Sequence, residues 1–355
     1  MKFKFSLQAT LALTTVAILT QSTIVLPISQ FSPTIAPAVA SKKTAPAKVA
    51  TPKPNSNMVF PTAGNRAKQG SNVERAKEAM FRDGDYVKAK QHLDAALKTE
   101  PNDPLTYAMN TLYPFSSGDF EKVREYGEKT SKAAEQLMPT NPLRGNLYQG
   151  VGLAILATYE LKKANGGALG ALGKLQKVFE YIDKAKKIDP NNSELNLIKG
   201  YMDLLLAVNV PFADTSQAID QFKNAEPRYL ALRGMYIGHR DLKEYDKASD
   251  AIEAALKIAP QNPELIYYKA QLLNIRGSAK NNDDDLRESI KLFEVAYQKR
   301  DRLLLSTIAQ ILSERCQAKS SLAKVGNETC YGFEAQLKQD NPNLVVGLTK
   351  LPALN

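Results

Sequence analysis

Gly84-Asp85-Tyr86-x-x-Ala89-x-x-x-Leu93-x-x-Ala96-Leu97-x-x-x-Pro101 returns without a gap as Glu244-Tyr245-x-x-Ala248-x-x-x-Ile252-x-x-Ala255-Leu256-x-x-x-Pro260. The spacing has a physical cause. Ala89 and Ala96 lie two helical turns apart on one face, where small side chains let paired helices approach closely, and Tyr86 and Leu93 fill the space beside them. Gly84-Asp85 supplies a turn between two helices, and Pro101 stops the second helix before the next unit begins. Asp189-Pro190-Asn191-Asn192 and Ala259-Pro260-Gln261-Asn262-Pro263 read as the same stop.

Weaker copies fill the interval and extend beyond the second clear one. Residues 104–140 carry Ser117-Gly118-Asp119-Phe120 as their turn, with a second helix running one turn longer, to Met138-Pro139. Residues 142–190 begin with a helix ending near Lys163, followed by an inter-helix insert from Asn165 to Gly173. Residues 193–226 have Gly200-Tyr201 in the first helix, an inserted loop from Val210 to Asp214, and Ala218, Phe222 and Ala225 in the second. Residues 263–300 end with Ser289, Phe293 and Ala296 in the expected places. The count is six helix pairs, two clear and four degenerate.

This spacing resembles the second half of a tetratricopeptide repeat, and the resemblance covers about residues 70–300. It implies an all-α, right-handed superhelical solenoid in which each pair stacks on its neighbours to bury one continuous core. It also implies a concave surface lined by the first helix of each pair. Carried onto this chain, the inward positions include Glu74, Glu78, Arg82, Leu112, Phe115, Tyr201, Arg233, Arg240, Tyr267, Gln271 and Asn274. Aromatic, amide and arginine side chains of this kind suit an extended peptide or a partner helix. Each of them has packing against adjacent helices as its alternative role. The Lys and Asn pattern that clamps a chaperone's C-terminal carboxylate is not recognisable. Reversing Arg233 and Arg240 to Glu is expected to weaken partner capture without unfolding the chain.

The formal charge of +10 is unevenly placed. Eight of the positive side chains lie in residues 1–70, which hold no Asp or Glu, so residues 71–355 carry only about +2. A basic face for nucleic acid is not supported. Lys2 and Lys4, the apolar stretch from about Leu7 to Leu26, and Ala38-Val39-Ala40 read as a signal peptide of residues 1–40, cleaved after Ala40. The alternative is a retained N-terminal anchor. Residues 41–70, rich in Pro, Ala and Lys, have almost nothing to bury and read as a disordered linker. Contact of this linker with anionic lipid or an acidic wall polymer is the competing reading.

Residues 301–355 depart from the repeat and read as a helical cap, with helices from Leu303 to Ala318 and from Tyr331 to Lys338. Cys316 and Cys330, the chain's two cysteines, flank the loop between these helices. In an exported protein such a pair reads as a disulfide staple, with a thiol switch as the alternative.

Candidate chemistry is sparse. His92 falls on an exposed face and His239 near the end of a first helix. Neither has a Cys or a second His at metal-ligand spacing. Gly167-x-x-Gly170-x-x-Gly173 has helical context on both sides, unlike a dinucleotide loop, and reads as the flexible insert. Asp283-Asp284-Asp285 lacks the Gly and terminal Glu of a calcium loop. No catalytic residue, cofactor or metal is called. The expectation is a non-enzymatic scaffold or assembly factor that binds a partner protein or peptide in an extracytoplasmic compartment. That compartment is the periplasm, or the thylakoid lumen if the source is a cyanobacterium. The alternative is an envelope-associated module tethered by its basic N-terminal tail and binding glycan or lipid.

Overall fold

A computed structural model describes residues 71–162, 167–209 and 215–349. The leader, the linker and the loop at residues 210–214 lie outside the described residues. Regular structure in the described chain is helical, apart from one isolated bridge between Leu304 and Val346.

Six consecutive helix pairs follow one another. α1 (Asn72–Lys77) runs into a π-turn (Glu78–Arg82) and pairs with α2 (Tyr86–Thr99). α3 (Pro104–Asn110) and α4 (Leu112–Ser117) together face α5 (Phe120–Leu137). α6 (Pro142–Lys162) pairs with α7 (Gly167–Ile188), α8 (Ser193–Asn209) with α9 (Thr215–Lys223), α10 (Arg228–Asp241) with α11 (Tyr245–Ile258), and α12 (Pro263–Lys280) with α13 (Asp283–Gln298). α14 (Leu305–Ala323) and α15 (Phe333–Asp340) close the chain, each displaced by about two residues at its start from the boundary read in the sequence.

Four turns inside pairs share one device. Gly84, Gly118, Lys243 and Asn281 hold φ of 64°, 82°, 61° and 51°, a left-handed conformation that ends a first helix. An acid or amide follows each of them. Asp85, Asp119 and Asn282 cap the next helix by accepting from a backbone N–H of its first turn, such as Lys88 N at 2.8 Å from Asp85 Oδ1. Lys243 occupies the place of Gly84 in the aligned repeat, so the turn geometry is kept where the glycine is not. The break between α3 and α4 is a proline effect: Pro114 has no N–H to offer the Asn110 carbonyl one turn back.

The repeat alanines behave as their spacing requires. Ala89, Ala96, Ala248 and Ala255 are fully buried, as are Tyr86, Leu93 and Ile252. The glycine run corrects the sequence reading. Gly167, Gly170 and Gly173 are the first turns of α7, not a flexible insert. Each glycine costs about 1 kcal/mol relative to Ala in a helix. That cost is tolerable where the intervening Ala171 is buried and the helix is held along α6.

Nearest-neighbour stacking is also corrected. The first pair packs on its own neighbour, with the Tyr113 hydroxyl donating to the Tyr86 carbonyl at 2.8 Å. It also packs on the fifth and sixth pairs, some 180 residues away. The Asn262 side-chain amide donates to the carbonyls of Phe81 and Arg82, both at 3.1 Å. Its oxygen meanwhile accepts from Glu264 N and Leu265 N at 2.9 and 3.2 Å, capping α12. One side chain thus ends the first helix of the fold and begins the twelfth.

The C-terminal segment completes the closure. Leu305 N donates to Val345 O and Gly347 N to Leu303 O, each at 2.9 Å. Val87 of α2 fills the space beside Gly347. A single apolar cluster consequently contains Val73, Met80 and Leu93 together with Tyr236, Tyr268, Leu304 and Leu348. A second cluster, built around Leu147, Val151, Ile155 and Ile182, holds the second to fourth pairs.

Cys316 and Cys330 come together at the cap as a disulfide pair with 5.3 Å between Cα atoms, and Ser313 Oγ donates to Cys330 O at 2.6 Å. Closing a loop with a sequence separation of 14 stabilises by about 3 kcal/mol in the chain-entropy model. Urea unfolding with and without reductant should differ by about that amount. Coincident curves would show that the staple is dispensable.

Candidate functional site

The first helices of the pairs turn tyrosines and charged groups toward the middle of the closed fold. Their positions decide what the eleven residues read from the sequence can do. Tyr201, Arg233, Tyr267 and Leu112 are 0–2% exposed and are not an open surface, which corrects their assignment to a solvent-facing groove. The chain's own helices have filled the space they line, with Glu314 of α14 against Tyr267 and Tyr86 of the first pair near Arg233. The Tyr201 hydroxyl donates to Leu230 O at 2.8 Å, and its ring meets Phe222 edge-on at 4.8 Å between centroids.

Arg233 is enclosed by acceptors. Its guanidinium donates to the Tyr268 hydroxyl at 2.5 Å and lies 3.4 Å from Glu264, with both ends of the ion pair 2% exposed. Burial outweighs this arginine and raises the Glu264 pKa above the usual carboxylate value, and burial pushes the Tyr268 phenol up to about 12.

Gln271 joins the next layer. Its oxygen accepts from Arg240 at 2.7 Å and from the Tyr236 hydroxyl at 3.1 Å. Its nitrogen donates to Glu314 at 2.8 Å and to the Tyr267 oxygen at 3.0 Å. Tyr267 itself donates to Glu314 at 2.7 Å, and Asn274 lies alongside, 3.5 Å from the Glu314 carbonyl. Burial raises the Glu314 pKa despite the hydrogen bonds from Tyr267 and Gln271. Arg233, Arg240, Tyr267, Gln271 and Asn274 are therefore brought together, in the interior of the last two pairs and α14.

The other named residues are elsewhere. Phe115 packs edge-on against Phe120, 5.9 Å between centroids. Glu74 pairs with the buried Lys77 in α1, and Glu78 pairs with Arg82 at 3.3 Å. Arg82 is solvent-exposed and also bonds Asp83 at 2.9 Å. Of the histidines, His92 is half-buried, its pKa lowered by burial and by Arg75 and Lys88. His239 is buried and bonds Glu244 at 2.7 Å.

Sequence reasoning missed Asn262, Glu264, Glu314, Tyr236 and Tyr268. It also missed a second, half-buried cluster, in which Arg144 reaches Asp103 at 3.2 Å and Glu194 at 3.6 Å, while Tyr148 donates to Glu194 at 2.6 Å. A signal for both clusters was present. Asn192-Ser193-Glu194 and Asn262-Pro263-Glu264 place a glutamate two residues after a capping Asn. Each glutamate meets an arginine from the first helix of the preceding pair. A repeated acid on an otherwise apolar helix start marks a buried ion pair of this type.

At the closure, the turn of the first pair faces the turn before α12 across a cleft of about 350 Å³, lined by residues 82, 83, 85, 88, 258–262 and 302. A family model of the tetratricopeptide repeat matches residues 239–262, from the end of α10 through α11 to one wall of that cleft. No curated protein matches the chain.

Proposed function

We propose that this chain is a non-enzymatic protein-interaction scaffold or assembly factor working outside the cytoplasm, in the periplasm or, in a cyanobacterium, in the thylakoid lumen. The observation that carries the reading is the tetratricopeptide repeat match at residues 239–262 within six consecutive helix pairs. Repeats of this family generally mediate contacts between proteins. The compartment rests on the leader pattern of residues 1–40 and on a paired rather than free Cys316 and Cys330. With the interior filled by the chain's own side chains, the partner is assigned to the outer surface and the closure cleft. Arg82 is the member of the sequence-derived set that lines the cleft.

Affinity capture with the protein from the exported fraction should return a stoichiometric protein partner. Recovery of glycan or lipid alone would favour the second reading, an envelope-associated module tethered through the basic segment at residues 41–70. Charge asymmetry supports that second reading, because residues 1–70 carry eight cations and no acid. Deleting residues 41–70 separates the two: a scaffold keeps its partner, whereas a tethered module loses surface association.

A further inference from the structure

The closure cleft has two unlike walls. Ile258, 45% exposed, and Pro260 form an apolar one. The facing rim is charged, and its acids are already engaged. Asp83 holds Arg82 at 2.9 Å, and Asp85 accepts from Lys88 N at 2.8 Å as the cap of α2. Lys88 and Arg302 line the same cleft, and among the described residues neither has an acidic group within 4 Å or a hydrogen bond from its side chain. Lys299 beside them is committed to Gln261, donating to its side-chain oxygen at 2.7 Å and its carbonyl at 2.8 Å.

We infer that this cleft binds a short acidic segment of a partner protein, with an Asp or Glu set next to a branched aliphatic side chain. The inference rests on the scaffold reading above and names the partner's chemistry. A volume of about 350 Å³ lies at the small end of ligand pockets and accommodates two or three side chains. Arg302 offers a planar fork that matches a carboxylate, and Lys88 a mobile ammonium. The aliphatic neighbour covers Ile258 and Pro260, removing apolar surface from water. A polyphosphate backbone fits poorly, since Asp83 and Asp85 sit in the same cleft. Because the walls come from both ends of the chain, a bound segment bridges the first pair to the fifth and sixth and stabilises the closed fold by mass action.

The test uses the full chain and two defined probes, the peptide acetyl-Leu-Glu-Ile-Asp-amide and its Gln/Asn analogue. The acidic peptide should shift the backbone amide resonances around Lys88 and Arg302, raise the unfolding midpoint, and bind more weakly between about 20 and about 200 mM salt. The uncharged peptide should do none of these. Lys88→Gln with Arg302→Gln should weaken the acidic peptide about tenfold while leaving the ligand-free unfolding midpoint in place. Equal binding of both peptides, equal binding by the variant, or no binding overturns the inference. Partner capture keeps the two readings apart. A partner held equally by wild type and variant leaves the scaffold standing and removes the cleft from it. Absence of any partner on the wild type removes the scaffold reading itself.

Discussion

Gly84→Val should lower the unfolding free energy by about 4 kcal/mol, and Gly118→Val by roughly half of that. Both glycines end a first helix with positive φ, so both substitutions place a β-branched residue in a left-handed conformation that strains it. Their surroundings differ. A Cβ at Gly118 meets nothing within 4 Å, whereas at Gly84 it would lie 2.6 Å from Asn262 Oδ1 and 2.7 Å from Pro263 Cδ. Those atoms belong to the start of α12, so Gly84 is demanded by the closure as well as by its own turn. The difference between the two variants isolates the docking of the first pair on the sixth. Thermal unfolding should register the Gly84 change as a drop of roughly 10 °C. Equal losses for the two variants would mean that the first pair does not dock there.

Arg233→Met should be equally severe, at about 3–5 kcal/mol, because it leaves Glu264 buried without its cation. The pH dependence of that loss has a definite sign. Glu264 already titrates above the ordinary glutamate value of 4.5, and burial is the main cause. Removing the arginine takes away a group that lowers its pKa and raises it further. A carboxyl with a raised folded pKa contributes most below its unfolded value and loses that contribution as pH rises through the folded one. The deficit of Arg233→Met should accordingly be full at alkaline pH and shrink as the pH falls through the raised pKa of Glu264, before it reaches 4.5. Adding Glu264→Gln should return much of the lost stability at neutral pH. A deficit that is flat with pH, or no recovery in the double variant, would contradict the pairing. The same geometry reverses the expectation for Arg233→Glu with Arg240→Glu. Two further carboxylates beside Glu264 and Glu314 would unfold the chain, so that variant cannot report on partner binding.

The helix pairs were legible because their determinants are local. Alanine spacing, a glycine or amide at the turn, and a proline or Asn–Pro stop each act within one or two helical turns. The failure at residues 167–173 has the same origin, since a glycine run reads locally as a loop and only packing along α6 makes it helical. Closure was not legible. It depends on Asn262 meeting Phe81 and Arg82, and nothing in either segment names the other across 180 residues. The inward positions carried over from the family rest on a geometry that assumes an open face. In this chain the neighbouring helices occupy it, α14 over Tyr267 and the fifth pair over Tyr201, and Tyr201, Arg233 and Tyr267 become interior groups. Lys88 and Arg302 gave no sequence signal at all, being ordinary cations until the fold sets them across one cleft.

Native-state hydrogen exchange on Asn262→Ala tests the closed architecture most directly. The substitution removes the cap of α12, worth about 1 kcal/mol, and orphans the carbonyls of Phe81 and Arg82 as well. Closure predicts faster exchange at two separate places, the first turn of α12 and the amides of residues 72–85. An open stack of pairs, each touching only its neighbours, predicts a change in α12 alone, with residues 72–85 as protected as in the unaltered protein.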